Sequence, residues 1–375
     1  MCHHIPFVKL IIACLFLLVL TACQTSPIPT PVANVSSPIS AATPKIALTA
    51  TPVPTNTNRP TQTPTLTSSP TGTSTTTPTQ TKTPTATPTE TAIPTPTSTP
   101  FPAVPPPPII DGYQWIEIPA GPFLMGGPQY GQVLDDLQLH EVDLPYGFWI
   151  SRYETTNAQY SRFVDETGHP SPQHWDADGF NLAEILNHPV ESLEWLDALA
   201  YANWLSEQMG VRVLPASEAE WEKAARGPQD SRHFPWGDDE LFGNANYCGA
   251  DCFGYDPRWS GAEYEDGFPK TAPVGSFPNG ASPYGIEDMV GNANELTRTI
   301  WGKNGDLPAE PDFPYPYDIW DGRENLNPDP QNFHVVRGGD HRSPLPFLRL
   351  QIKLPSKSGG IRLVVVPEEI FTQNQ

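Results

Sequence analysis

Oxygen donors recur in this sequence at spacings that suit a hard cation. Asp288 and Glu295 lie seven residues apart around Gly291-Asn292-Ala293, so a turn there would point two carboxylates and the carbonyls between them at one ion. Asn246-Tyr247 and Asp266-Gly267-Phe268 supply a similar mixture of side-chain and carbonyl oxygens from the two ends of one loop. Calcium accepts such sets because it takes six to eight oxygens in a flexible shell. Asp, Asn and Gly also gather in solvated turns for conformational reasons, and the residue types alone leave both readings open.

Softer ligands are scarce. Cys248 and Cys252, in NYCGADCFGYD, are the only cysteines beyond residue 23, and no two CxxC pairs exist for a structural zinc site. His140, His169, His174, His188, His233, His334 and His341 show neither HxxxH nor HExxH spacing, which gives weak support to an iron or zinc centre. His341 stands apart because it follows Arg337-Gly338-Gly339 and sits between Asp340 and Ser343, three polar candidates for the lining of a pocket. DFPYPYDIWD, with Asp312, Tyr315, Tyr317, Trp320 and Asp321, suits either a sugar- or peptide-binding loop or a packed surface loop.

The elements that position these residues occupy only part of the chain. Forty-seven prolines in 375 residues are unevenly spread. Residues 1–23 carry Lys9, the apolar run LIIACLFLLVL and then Leu20-Thr21-Ala22-Cys23. A run this short is read as a secretory signal, and the small residues before Cys23 resemble a lipobox, in which that cysteine is acylated. Residues 24–108 are Thr, Pro, Ser and small apolar residues. They bury too little apolar surface to offset their conformational entropy and read as a disordered stalk, reaching up to ~260 Å if fully extended in polyproline II. In an exported protein a disulfide closing the Cys248–Cys252 loop is expected rather than a free metal-binding or redox pair.

Residues 109–375 form one folded domain. The chain holds 42 acidic and 21 basic residues; Lys9, Lys45, Arg59, Lys82 and Glu90 are the only charges before residue 109, leaving 41 acidic and 17 basic residues and a charge of −24 on the domain. Such a balance excludes a nucleic-acid groove, which needs clustered Lys and Arg. Thr156 and Gln159 make a capping box for a short helix stopped by Gly168. A second helix runs from Trp195 to about Gln208 before Gly210, and Ser217 with Glu220 opens a third that buries Trp221, Ala224 and Ala225 and ends at Gly227. Short strands are expected at Trp115–Pro119, Phe148–Tyr153, His334–Arg337 and Ile361–Val366, and the whole reads as α+β and loop-rich.

The segments IPAGPFLMGG, RYETTNAQYSRFV, HPVESLEWLDALAYANWLSEQMG, VLPASEAEWEKAARG, FPWGDDE, GSFPNGASPYGIEDMVGNANEL, VRGGDHRS and GGIRLVV follow one another in this order. Together, over roughly residues 112–366, they resemble the formylglycine-generating enzyme family, also called sulfatase-modifying factors. The resemblance implies a modified C-type-lectin-like fold. It also implies calcium on Asn246, the Tyr247 carbonyl, Asp266 and the Phe268 carbonyl at one site, and on Asp288, the Gly291 and Ala293 carbonyls and Glu295 at another. Active members bind copper(I) through two cysteines just after RGG and oxidise a sulfatase cysteine to formylglycine. Here RGGDHRSPLPFLRLQIKLPS has no cysteine: the family serine falls on Asp340 and the two cysteines on Ser343 and Leu348, and neither a hydroxyl nor an alkyl group replaces a copper(I)-binding thiolate. Asn294 and Leu296 stand where the family has two tryptophans.

Copper is therefore not expected, and calcium is expected at one or two sites. Arg337 and Arg362 match family arginines and are read as buried ion-pair residues. The reading for the whole chain is a lipid-anchored extracytoplasmic protein of a bacterial membrane or surface. Its domain serves as a non-oxidase ligand-binding or scaffold module for a peptide, glycan or protein. The alternatives are an active oxidase of sulfatase cysteines and an iron-using relative of the sulfoxide synthases, which needs an additional histidine-bearing helical domain where this chain has its stalk.

Overall fold

Helix ends here are written locally. Thr156 Oγ accepts from Gln159 N while the Gln159 side chain accepts from Thr156 N, and Gly168 closes the helix in the left-handed conformation at φ 71°. Ser217 and Glu220 make the same reciprocal box. Glu194 and Asp197 make a third that the sequence reading did not anticipate. The computed structural model describes residues 101–127, 139–176, 181–228, 231–239, 243–249, 265–305 and 312–371. The Cys23 site, the stalk up to residue 100 and Cys252 lie outside the described residues.

The elements run β1 (Trp115–Ile118), β2 (Gly121–Met125), β3 (His140–Leu144), β4 (Phe148–Ser151), α1 (Asn157–Thr167), β5 (Leu193–Glu194), α2 (Trp195–Met209), β6 (Val213–Pro215), α3 (Glu218–Arg226), β7 (Glu295–Gly302), β8 (Phe333–Arg337), β9 (Leu354–Ser356), β10 (Ser358–Gly359) and β11 (Leu363–Val365). The fold is α+β with short strands and few helices. Antiparallel β1-β4-β11-β6 form one sheet and β7-β8-β9 a second, with β2-β3 and β5-β10 as separate pairs. Val364 lies opposite both Ile150 and Leu214, all fully buried, so register and core coincide in the first sheet.

Two apolar clusters share the interior. One gathers Phe123, Leu144, Ile150, Trp221, Met289 and Leu348 beneath α3; the other gathers Tyr160, Phe163, Tyr201, Leu205 and Leu363 between α1 and α2. Trp195 opens α2 and stacks on His334 with centroids 4.4 Å apart. No helix among the described residues is long and apolar enough to cross a membrane.

Three local expectations need correction. The expected strand Phe148–Tyr153 stops at Ser151, because Arg362 Nη1 takes the carbonyls of Ser151 and Arg152. Helix α3 buries every residue, not only its apolar stripe, since each of its acids has a partner: Glu218 with Arg337 at 3.3 Å, Glu220 with Arg298 at 2.5 Å and Glu222 with Arg226 at 2.7 Å. The packed chain also begins before the stalk boundary expected at residue 108. The Phe101 ring lies edge-on to Tyr146 at 5.9 Å, and Trp149 Nε1 donates to the Val104 carbonyl at 3.0 Å.

Candidate functional site

Strand β8 ends at Arg337, and the chain then turns through Gly338 at φ 84° and Gly339 at φ 68°. The second turn has no room for a side chain: a Cβ on Gly339 would stand 2.7 Å from Leu348 Cδ2 and 3.1 Å from Ser343 Oγ. Glycine therefore lets the turn pack against both Ser343 and Leu348, the two positions on which the sequence resemblance would place the family cysteines. Leu348 is fully buried. Ser343 Oγ donates to Asp340 Oδ1 at 3.1 Å and accepts from Asp340 N at 3.0 Å.

Asp340 organises the turn. Its Oδ1 also accepts from Arg342 N at 2.9 Å, and its Oδ2 accepts from Arg342 Nε at 3.1 Å and Nη2 at 2.5 Å. Burial pushes the Asp340 carboxyl up, but the Arg342 hydrogen bonds and charge outweigh it and hold the group below its usual range. The guanidinium stays at the surface, with a side-chain exposure of 66%. Burial also pushes nearby Glu191 up to about 7, against the pull of Arg342.

A cleft of about 380 Å³ opens beside this turn. Asn294, Asp340, Arg342 and Ser343 form its polar wall, and Val336, Phe347, Ile352 and Leu354 its apolar wall. Two of the three expected pocket residues thus line it. His341 does not: its N and Nδ1 both turn to the Asn292 carbonyl, at 3.0 and 3.2 Å, and burial lowers its pKa. The arrangement suits binding. Among the described residues that line the cleft, the one side-chain hydroxyl is committed to a carboxylate already paired with arginine, and none carries a sulfur to ligate a soft metal.

The residues assigned to calcium differ in how well they fit an ion. Asn246 Oδ1 is buried and has no hydrogen-bond partner, which suits a cation ligand. Asp266 folds its segment toward Asn246 by accepting from Tyr247 N at 3.0 Å and Phe268 N at 2.8 Å. At the other position Asp288, Gly291 and Asn292 adopt φ of 55°, 78° and 56°, left-handed residues within one tight turn. The Glu295 carboxylate is already engaged there. Its oxygens accept from Arg362 Nε at 3.0 Å each, from Arg362 Nη2 at 2.7 Å and from Trp221 Nε1 at 2.7 Å. Three N–H groups make four contacts to its two oxygens, so a cation there would draw first on Asp288 and the carbonyls of Gly291 and Ala293. Among the described residues, no group of three or more His, Cys, Asp or Glu is placed to hold a metal ion.

The remaining candidates are structural. Arg337 reaches Glu218 and Glu222, and Arg362 reaches Glu295, all buried as expected. The tyrosines of the aromatic-acidic loop turn inward, Tyr315 OH donating to Glu218 at 3.0 Å and Tyr317 bonding Thr299 and Glu324, while Trp320 is 39% exposed and Asp321 holds Arg323 at 2.6 Å. Cys248 is disulfide-bonded, and its N–H donates to Ser343 O at 3.0 Å. Sequence reasoning missed Arg342 and the apolar wall; the i, i+2 spacing of Asp340 and Arg342 was the available signal for the first.

Comparison with known proteins agrees with this layout. Residues 101–364 match the sulfatase-modifying factor enzyme 1-like domain. A formylglycine-generating enzyme of Thermomonospora curvata is 30% identical over 233 residues, covering 50% of this chain and 71% of that protein. A hercynine oxygenase of Mycolicibacterium smegmatis is 30% identical over 211 residues, 48% of this chain and 44% of its own length. Among solved structures, PvdO from Pseudomonas aeruginosa aligns over 67% of this chain and 94% of its own, at 27% identity and a TM-score of 0.47. The match over residues 101–364, most of the chain, places it in the sulfatase-modifying factor enzyme 1-like family.

Proposed function

We propose that the chain is a membrane-tethered extracytoplasmic protein whose domain binds a ligand in the cleft beside Asp340 and does not oxidise cysteine. The observation that carries this reading is the pair at the family's thiol positions: a serine tied to a carboxylate and a leucine sealed in the core. Neither group binds copper(I) or forms a mixed disulfide with a substrate thiol. Relatives named for two different reactions occur on this scaffold, so the scaffold does not dictate the chemistry.

The cleft's own chemistry describes its ligand. The lining combines apolar side chains with an anchored guanidinium, which suits an apolar group bearing a carboxylate or another anionic acceptor. The corner at Asn246 and Asp266 binds calcium and braces the loop that leads to Ser343 through Cys248. Cys23 carries the lipid, so Cys23→Ser moves the protein from the membrane fraction to the soluble one.

The decisive assay incubates the purified chain with a CxPxR peptide, copper and oxygen and reads the peptide mass. An unchanged thiol is expected, and conversion to the aldehyde overturns the proposal in favour of an oxidase. In parallel, N-acetyl-leucine is expected to bind wild type and to lose affinity in Arg342→Gln; equal binding to both rejects the role of the guanidinium.

A further inference from the structure

The cleft beside Asp340 holds one polar group that its own turn does not use. Asn294 is half-buried on the lining, and its carboxamide makes no hydrogen bond among the described residues. Neither its oxygen nor its nitrogen is sealed from solvent. The backbone beneath is fixed, since Asn294 O accepts from Gly360 N at 2.8 Å and β7 starts at the next residue. Gly359 leaves the carboxamide its place: a Cβ there would stand 2.9 Å from Asn294 Oδ1. A carboxamide offers one carbonyl acceptor and two N–H donors, and here all of them are open at a defined spot.

Arg342 leaves a second opening. Asp340 Oδ2 takes Nε and Nη2 of the guanidinium, and Nη1 has no partner among the described residues. The segments carrying Asn294 and Arg342 are bonded to each other, His341 N donating to Asn292 O at 3.0 Å and Gly291 N to Gly338 O at 2.9 Å. Val336, Phe347, Ile352 and Leu354 contribute apolar surface to the same lining. Three kinds of contact therefore meet within about 380 Å³, near the small end of ligand clefts. A secondary amide pairs with a carboxamide by donating to its oxygen and accepting from its nitrogen. A carboxylate pairs with the free edge of a guanidinium. The last residue of a peptide carries both groups, together with its side chain, on one α-carbon.

We propose that the cleft takes the carboxyl end of a peptide with an apolar last residue, and that Asn294 selects it by pairing with the amide. This rests on the reading of the cleft as a ligand site and names what the ligand carries beyond an apolar and an anionic part. Arg342 receives the terminal carboxylate, the apolar lining receives the side chain, and Asn294 separates an acylated amino acid from a simple fatty acid of the same shape.

The test measures binding to the full chain by calorimetry with three small probes. N-acetyl-leucine carries all three groups; 4-methylpentanoate keeps the carboxylate and alkyl group without the amide; N-acetyl-leucinamide keeps the amide without the carboxylate. Wild type is expected to bind N-acetyl-leucine at least about tenfold more tightly than either analogue, and to bind acetyl-Ala-Ala-Ala-Leu no more weakly. Asn294→Leu, close in volume and without hydrogen-bonding groups, should cut the advantage over 4-methylpentanoate to below about twofold and keep the advantage over N-acetyl-leucinamide. Equal binding of N-acetyl-leucine and 4-methylpentanoate by wild type overturns the proposal and leaves the cleft a ligand site; no binding of either overturns both. The proposal also fails if N-acetyl-leucinamide binds as well as N-acetyl-leucine, if the tetrapeptide is excluded, or if the preference for the amide survives Asn294→Leu. The wild-type comparison needs no variant, so it decides the matter even where Asn294→Leu does not fold.

Discussion

Arg362 is the residue whose removal most sharply tests how this domain is held together. It is 1% exposed and donates to the Glu295 carboxylate and to four main-chain carbonyls: Ser151 at 3.0 Å, Arg152 at 2.8 Å, Glu287 at 3.0 Å and Asp288 at 3.2 Å. One guanidinium therefore ties the end of β4, the 287–288 turn and the start of β7. Arg362→Met fits the volume but leaves Glu295 buried with only the Trp221 N–H at 2.7 Å. Breaking one side of a buried pair costs about 3–5 kcal/mol. At this domain size each kcal/mol moves the melting temperature by about 2–4 °C, so the drop should be about 6–20 °C. Urea unfolding followed by tryptophan fluorescence should show a lower midpoint with an unchanged slope. Adding Glu295→Gln should recover part of the loss, because the charge stranded in the single mutant is gone, and the two effects should miss additivity by about 1 kcal/mol or more. A loss below about 1 kcal/mol for Arg362→Met, or strict additivity in the double mutant, would refute the view that this pair carries the junction.

Two further outcomes follow from the geometry. On the proposed calcium reading of the Asn246 corner, an ion bound to the folded state alone at a hundredfold excess over Kd should add about 2.7 kcal/mol; chelation should lower the melting temperature of wild type but not of Asp266→Asn, and an unchanged wild-type melt would count against the site. His334, buried against Trp195, has its pKa lowered to about 4, chiefly by burial. The unfolded state then takes up its proton first, and stability falls as pH drops from about 6.5 to about 4, by about 3 kcal/mol from this group. His334→Phe keeps the stack and removes the proton, so its stability should fall less than that of wild type over that window; parallel curves would show that the ring titrates normally.

What could be read from the sequence was what is encoded locally. Thr156 with Gln159 and Ser217 with Glu220 announce helix starts because both partners of each cap lie within four residues, and Gly168 and Gly210 announce stops for the same reason. Strand β7 was invisible because Glu295, Thr297, Arg298 and Thr299 look like solvent residues, yet all eight of its residues are buried. Their partners are distant in sequence: Thr297 Oγ1 donates to Val335 O and Arg298 to Glu220. The polar wall of the Asp340 cleft was legible from Asp340 and Ser343. Its apolar wall was not, since Phe347 and Ile352 sit in turns and Leu354 opens a three-residue strand, segments too short to show a period.

The buried cations also change the meaning of the domain's acidity. Lys223, Arg226, Arg298, Arg323, Arg337, Lys353 and Arg362 are all inside, so much of the domain's scarce positive charge neutralises interior carboxylates such as Glu218, Glu220, Glu222 and Glu295. The surface is left with an acidic field that repels anions at long range and draws cations in. This field works against an anionic ligand approaching Arg342, where one guanidinium is already half neutralised by Asp340. Recognition in the Asp340 cleft must therefore rest mainly on the apolar wall of Val336, Phe347, Ile352 and Leu354, with Arg342 fixing orientation at contact range, where fixed hydrogen-bond geometry outweighs the screened field.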